Sequence, residues 1–250
     1  MLQARVETAA ARPQFRTSLA RNVVEVRAAQ RLRYQVFAEE MGAQVPGREQ
    51  GIDCDIYDAY CDHLIVTHTG SGEVVGTYRL LNGRQARRAG GFYSDREFDL
   101  SALDALRDDA VEAGRACVRA DYRNGPVLSM LWLGITDYME RRGYEYLMGC
   151  ASMSLADGGV QASQIYHALA AAHLSPPEYR VVPRLAWPLK PGGSDAGCGS
   201  LPALLKGYRK LGAYVCGVPA WDPDFNTADL FLLLPMSRLD QRYIRRRTRH

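Results

Sequence analysis

Glu112 lies inside an otherwise apolar stretch, residues 111–118, and Arg115 follows three positions later. An isolated carboxylate is costly to bury, so this one needs a partner or a task. One task is general-base chemistry: an amine that attacks an activated acyl group must first lose a proton, and a carboxylate acting through water suits that step. The carbonyl oxygen then becomes an oxyanion, for which the backbone of a disturbed strand can supply donors. In a regular strand, positions 112 and 115 point to opposite faces. A β-bulge at Ala113-Gly114 would bring both to one side, and glycine eases the bend. The spacing therefore predicts a bulged strand near 112–115. The alternative is an ion pair that only ties the core.

A second group of charges, Asp53, Asp55 and Asp58 with Asp62 and His63 just after, allows several readings. Aspartates at alternate positions resemble a calcium loop, but the sixth-place glycine and the closing bidentate glutamate are missing, so no metal is expected. The same carboxylates could form a charge network with Arg33, Arg79 and Arg115, or grip a cationic substrate. An exposed acidic loop is the plain alternative. His63 is either a substrate contact or a structural histidine. Arg123-Asn124-Gly125 joins a strand end to a helix start, where free N–H groups and a positive dipole end suit a phosphate; otherwise Arg123 is a surface loop residue. Cys150, after Gly149, reads as a buried packing thiol rather than a nucleophile.

The elements that must position these groups follow from patterning. Asn22, with Glu25 three places on, predicts a capped helix over 23–41 that puts Arg33 and Phe37 on one face. Strands are expected at 63–67 and 74–81 around a Thr69-Gly70-Ser71-Gly72 turn, and at 110–118. Gly125-Pro126 opens a helix to about 142, which Gly143 closes. Then follow a strand at 146–151, a helix at 160–172, a long Pro/Gly-rich surface loop at 175–200, a helix near 201–211, and strands near 213–216 and 230–234. This is one mixed α/β domain over 16–240 with a central strand-helix-strand unit, a flexible start over 1–15 and a basic tail over 241–250.

Composition bounds the rest. The chain has 250 residues, 47% hydrophobic and 24% charged, as in ordinary globular domains. Six cysteines without a Cys-x-x-Cys pair read as reduced thiols in a cytoplasmic protein. No signal peptide or membrane-crossing run is expected. Net charge is only +3, yet Arg242, Arg245, Arg246, Arg247 and Arg249 crowd the last nine residues. Such a tail either rests peripherally on anionic lipid or is simply solvated. Nucleic acid is disfavoured, because the basic residues are not interleaved with aromatics on one element.

In order and spacing, Arg33-x-x-x-Phe37, Asp53-x-Asp55-x-x-Asp58, Arg79 and Glu112-x-x-Arg115 resemble the acyl-homoserine-lactone synthases. These are enzymes of the GNAT (acetyltransferase-like) fold that use acyl carrier protein and in which the matching glutamate is regarded as the base. A fuller resemblance, over nearly the whole chain, is to the ornithine N-acyltransferases of ornithine-lipid synthesis. It rests on Leu32-Arg33-Tyr34-Gln35-Val36-Phe37, Cys61-Asp62-His63-Leu64, Gly91-Phe92-Tyr93-Ser94, Gly114-Arg115-Ala116-Cys117-Val118, Gly149-Cys150-Ala151-Ser152, Leu204-Leu205-Lys206-Gly207-Tyr208 and Asp224-Phe225-Asn226-Thr227-Ala228-Asp229.

The resemblance implies a GNAT-like sheet, mixed and mostly antiparallel, with flanking helices. It implies transfer of a 3-hydroxyacyl chain from acyl carrier protein to the α-amine of L-ornithine, giving lyso-ornithine lipid, with no permanently bound cofactor. Glu112 would be the base. Arg33, Arg79 and Arg115 would order the acidic loop, one of whose aspartates reads the side-chain ammonium, and Phe37 and the helix from 126 would line the acyl tunnel. Arg123 is followed by Gly125 and Pro126 rather than by the superfamily's full pyrophosphate loop, which favours a carrier protein over coenzyme A. Arg141 and Arg142 are candidate docking residues for that acidic carrier. Other readings are acylation of another amino acid, homoserine-lactone synthesis, or a non-enzymatic lipid- or carrier-binding module.

Overall fold

A computed structural model describes residues 14–123, 126–191 and 201–239 of the chain. The strands are β1 (Phe15–Leu19), β2 (Asp62–His68), β3 (Val74–Asn82), β4 (Phe98–Asp99), β5 (Ala110–Val118), β6 (Tyr146–Ser154), β7 (Val182–Pro183), β8 (Tyr214–Val215), β9 (Ala220–Asp222) and β10 (Thr227–Pro235). The α-helices are α1 (Val23–Tyr34), α2 (Gly83–Ala89), α3 (Val127–Arg142), α4 (Val160–His173) and α5 (Ala203–Leu211). One sheet runs β1-β2-β3-β5-β6-β10-β8, with β9 added beside β10; β4 and β7 form a separate pair. All its pairings are antiparallel except β5 with β6. A strand-helix-strand crossover through α3 dictates that exception.

The sheet carries two cores, and strand periodicity decides which side chain joins which. Tyr78, Leu80, Val111, Ala113, Leu147, Ala151, Leu230 and Leu232 face a core shared with Leu131 and Ile135 of α3, Ile165 of α4 and Leu205 of α5. Leu81, Ala110, Met148, Phe231 and Leu233 face a second core with Phe92, Phe98 and Leu103. Arg79, Glu112, Cys150 and Asp229 each lie two residues from a member of that second set. Four neighbouring strands therefore project their polar side chains onto one face.

Two irregularities open this face. First, β5 pairs with β6 only over residues 110–112 against 146–148, after which the strands part. Gly149 sits at the fork with φ 153°; a Cβ there would lie 2.3 Å from the Ala113 carbonyl oxygen. Only glycine permits that approach. Second, the β3–β5 register slips between Arg79↔Gly114 and Thr77↔Cys117, so Arg115 and Ala116 together oppose Tyr78. The expected bulge is present, one step beyond Ala113-Gly114. Arg115 itself, rather than glycine, takes the left-handed conformation, φ 52°.

The expected helix over 23–41 is α1 continued by a π-helical turn, Gln35–Glu40. Asn22 caps it by accepting from Val24 and Glu25 N–H groups. Glu25 accepts instead from Arg21, so the reciprocal half of the capping box is absent. Pro126 is the cap of α3 rather than its first residue, and Gly143 ends that helix as expected. The 175–200 region is more structured than a plain loop, because Val181 is buried and Trp187 packs edge-on against Trp221. Residues 192–200 and the basic tail lie outside the described part, as do residues 1–13 of the expected flexible start over 1–15, whose last residue, Phe15, already belongs to β1.

Candidate active site

The parting of β5 and β6 forms one wall of a cavity of about 460 Å³. Glu112 stands on that wall, 4% exposed. The segment Tyr93–Arg96 curls into a 3-10 turn whose first N–H groups point at it. Tyr93 N–H donates to Oε2 at 2.6 Å; Ser94 N–H and Ser94 Oγ donate to Oε1 at 2.8 and 2.5 Å. The turn is held by Asp95, which accepts from Phe92 N–H and binds the Arg107 guanidinium through both oxygens. Three donors leave one carboxylate lone pair for a water or a substrate proton. Burial pushes the Glu112 pKa up, against the pull of its hydrogen bonds to Ser94 and Tyr93. A raised, partly satisfied carboxylate on a cavity wall is suited to accept a proton near neutral pH.

The acidic segment is a charge network, as one of the readings anticipated. Arg33, 1% exposed, pairs with Asp53 at 2.8 Å and Asp58 at 2.7 Å. Arg79 pairs with Asp55 at 2.6 Å and Asp58 at 3.4 Å. Arg115 completes the set more loosely, 3.3 Å from Asp53 and 3.5 Å from Asp55, with its guanidinium over the Tyr93 and Phe225 rings. Burial raises the Asp58 carboxyl, but Arg33 and Arg79 outweigh it and hold the group below its ordinary value. Each of the three aspartates is thus paired with arginine, and none is among the residues lining the cavity, which departs from the expectation that one of them reads a substrate ammonium.

Other expected residues divide. Phe37 lines the cavity and packs edge-on against Phe225. Arg79 and Arg115 also reach its wall. His63 does not: it is buried behind the network, its Nε2 3.1 Å from the Asp58 carbonyl oxygen, and burial lowers its pKa so that it stays neutral. Arg123 stands at the rim, but its guanidinium already donates to the Val118 carbonyl oxygen at 3.0 Å and to Glu40 at 2.5 Å. Asn124 and Gly125 lie outside the described residues. The helix from 126 does not line the cavity; α3 packs on the sheet's other face, and Pro202 and Leu204 take that place. Arg141 and Arg142, a full helix length of about 24 Å from the start of α3, pair with Asp137 and Asp62. Cys150 touches Ser94 Oγ at 3.3 Å; burial and the nearby Glu97 and Asp229 push its thiol well above its ordinary pKa, so it is a poor nucleophile.

Sequence patterning missed Tyr93 and Ser94 as the groups that hold Glu112, and missed Glu97, Asp222 and Asp229, which line the same cavity. Asp229 carried a signal: it interrupts β10, whose every residue is buried, and a buried carboxylate needs an explanation.

Comparison with known proteins bears on the fold and the family. Residues 32–133 match the Acetyltransferase (GNAT) domain family. FeeM, an N-acyl amino acid synthase from uncultured soil microbes, superposes with a TM-score of 0.55 at 13% identity, over 90% of this chain and 93% of its own. A CoA-dependent acyl-homoserine lactone synthase, BjaI, gives 0.50 at 14% identity, over 91% and 82%. At such identities these likenesses speak for the fold. The L-ornithine N(alpha)-acyltransferases of Brucella abortus and Rhizobium meliloti are 35% and 37% identical to the chain, over 90% and 91% of it and 86% and 82% of their own lengths. The chain belongs to the L-ornithine N(alpha)-acyltransferase family. It is a GNAT-fold acyltransferase, and the non-enzymatic reading falls away. Among the described residues no helix is long and apolar enough to cross a membrane.

Proposed function

We propose that this acyltransferase moves a 3-hydroxyacyl chain from the phosphopantetheine thioester of acyl carrier protein to the α-amine of L-ornithine, giving lyso-ornithine lipid. The observation that carries the reading is Glu112, a buried carboxylate with one open lone pair at the fork of β5 and β6. The relatives' names supply the acceptor. The amine loses a proton to Glu112 through water and its nitrogen attacks the thioester carbonyl. Backbone N–H groups of β5 beyond Glu112, no longer laddered to β6, hold the oxyanion. The C–S bond breaks, the extra proton left on the nitrogen passes to the departing thiolate, and Glu112 releases its own proton to solvent, leaving an amide and a free thiol. The cavity's apolar side, with Phe37, Val36 and Leu204, receives the acyl chain, and Arg115 faces the acceptor's carboxylate. The basic carboxy-terminal tail serves peripheral contact with anionic lipid.

Purified protein supplied with a 3-hydroxyacyl carrier protein and a panel of amino acids tests this, with products identified by mass. Nα-acylornithine should dominate. Equal turnover with the coenzyme A thioester would remove the carrier-protein donor, and a different acylated amine would remove the acceptor.

A further inference from the structure

Charge around the cavity is unevenly matched. Arg33, Arg79 and Arg115 are balanced by Asp53, Asp55 and Asp58. On the opposite side, Glu97, Asp222 and Asp229 line the cavity without an arginine or lysine in ion-pair contact among the described residues. Asp229 is 4% exposed and accepts from Thr227 Oγ at 2.8 Å. Glu97 Oε2 is buried with no hydrogen-bond partner. Ligand atoms of Glu97, Cys150 and Asp229 all lie within 4.8 Å of one another. Two carboxyls so close in a buried site are costly unless a proton or a cation sits between them.

Placement relative to the base is equally specific. Ser94 Oγ touches both Glu112, at 2.5 Å, and the Cys150 thiol, at 3.3 Å. One hydroxyl and one thiol therefore separate Glu112 from the Glu97–Asp229 pair. A diamine that offers one nitrogen to Glu112 is thus led to place its other nitrogen at that pair.

We infer that Glu97 and Asp229, with Asp222 beside them, form the subsite that binds the second ammonium of the acceptor and so selects a diamino acid over its monoamino analogue. The assignment rests on the ornithine reading above. Protonation of the empty pair is consistent with it. Burial, then Asp229, push Glu97 up to about 8, and burial pushes Asp229 up to about 6. The other groups facing the pair are Asp222 on β9, Cys150 and Ser152 on β6, Glu112 and Arg115 on β5, and Tyr93. The incoming ammonium takes the place of the shared proton, so acceptor affinity should strengthen as pH rises through this range. A divalent metal is the competing occupant. The neutral Cys150 thiol favours the ammonium, since a ligating thiol must be deprotonated.

The test compares ornithine with norvaline, which lacks only the terminal amine, in wild type, Glu97→Gln and Asp229→Asn. Losing a charge-assisted hydrogen bond should lower the ornithine-to-norvaline ratio of kcat/KM by about 10- to 100-fold, chiefly through the ornithine KM. Calorimetric binding of ornithine to folded Glu97→Gln, without donor, should weaken in parallel. If Asp229→Asn fails to fold, Glu97→Gln alone decides. A wild-type preference for ornithine that survives in Glu97→Gln overturns the subsite while leaving the ornithine reading intact. A wild type that acylates ornithine no better than norvaline overturns both. Stoichiometric Zn²⁺ or Mg²⁺ binding that is lost in Glu97→Gln would assign the cluster to a metal and overturn the ammonium site.

Discussion

Arg33→Met removes the central cation of the buried network, together with its hydrogen bond to the Asp53 carbonyl oxygen. Arg33 and Asp53 are 1% and 0% exposed, and Asp58 is 8% exposed. The substitution leaves Asp53 with Arg115 at 3.3 Å and Asp58 with Arg79 at 3.4 Å. Breaking a buried pair from one side costs about 3–5 kcal/mol, because the surviving charge keeps its desolvation cost. Total stability of a domain is only about 5–15 kcal/mol. In a chain of this size each kcal/mol shifts Tm by about 2–4 °C, so the midpoint should fall by about 6–20 °C. Thermal unfolding followed by circular dichroism reads this directly. The double variant Arg33→Met/Asp53→Asn should recover part of the loss, because it removes the orphaned charge as well. A single variant within about 1 kcal/mol of wild type would refute the network as a structural unit, and so would a double variant no better than the single.

Four other outcomes follow. Gly149→Ala forces a methyl against the Ala113 carbonyl at the fork; it should destabilise the fold by at least about 2 kcal/mol in chemical denaturation and depress turnover together. Cys150→Ala should keep substantial turnover and the same acylated product by mass, as a neutral thiol outside the chemistry requires. Burial raises Glu112 above its ordinary 4.5, and the reaction needs it ionised, so kcat/KM should rise with pH through an inflection displaced upward from that value. Glu97 and Asp229 also have raised values, about 8 and about 6. A raised group contributes stability below its unfolded pKa and loses it as pH climbs through the folded one. The unliganded protein should therefore weaken between about pH 4 and 8 by calorimetry, and Glu97→Gln should flatten that decline.

Much of the frame was legible in the sequence because its signals are local. Strand β5 carries a charged residue in an apolar run, and Gly143 marks the end of α3. The bulge was legible as a need, since Glu112 and Arg115 had to share a face, but its position was not. Glycine made Gly114 the natural hinge. Arg115 adopts the left-handed conformation instead, and its guanidinium there meets Asp53, Asp55 and two aromatic rings. Those partners come from three distant parts of the chain. Tyr93 and Ser94 were hidden for the same reason: their role is played by backbone N–H groups, which carry no residue signature. Glu97 has meaning only beside Asp229, over a hundred residues away. The tunnel wall was misplaced because apolar periodicity in α3 says that a face is buried, not on which side of the sheet.

Glu112→Gln puts the account's central claim to its most direct test. The amide keeps the shape and its single oxygen can still accept from the Ser94 N–H and hydroxyl, with its NH2 then facing the Tyr93 N–H, but it cannot take a proton. Single-turnover transfer from acyl carrier protein to ornithine should fall by about 10²–10⁴-fold, with the folded state, read by circular dichroism, and acceptor binding retained. Transfer within a few fold of wild type would contradict Glu112 as the base.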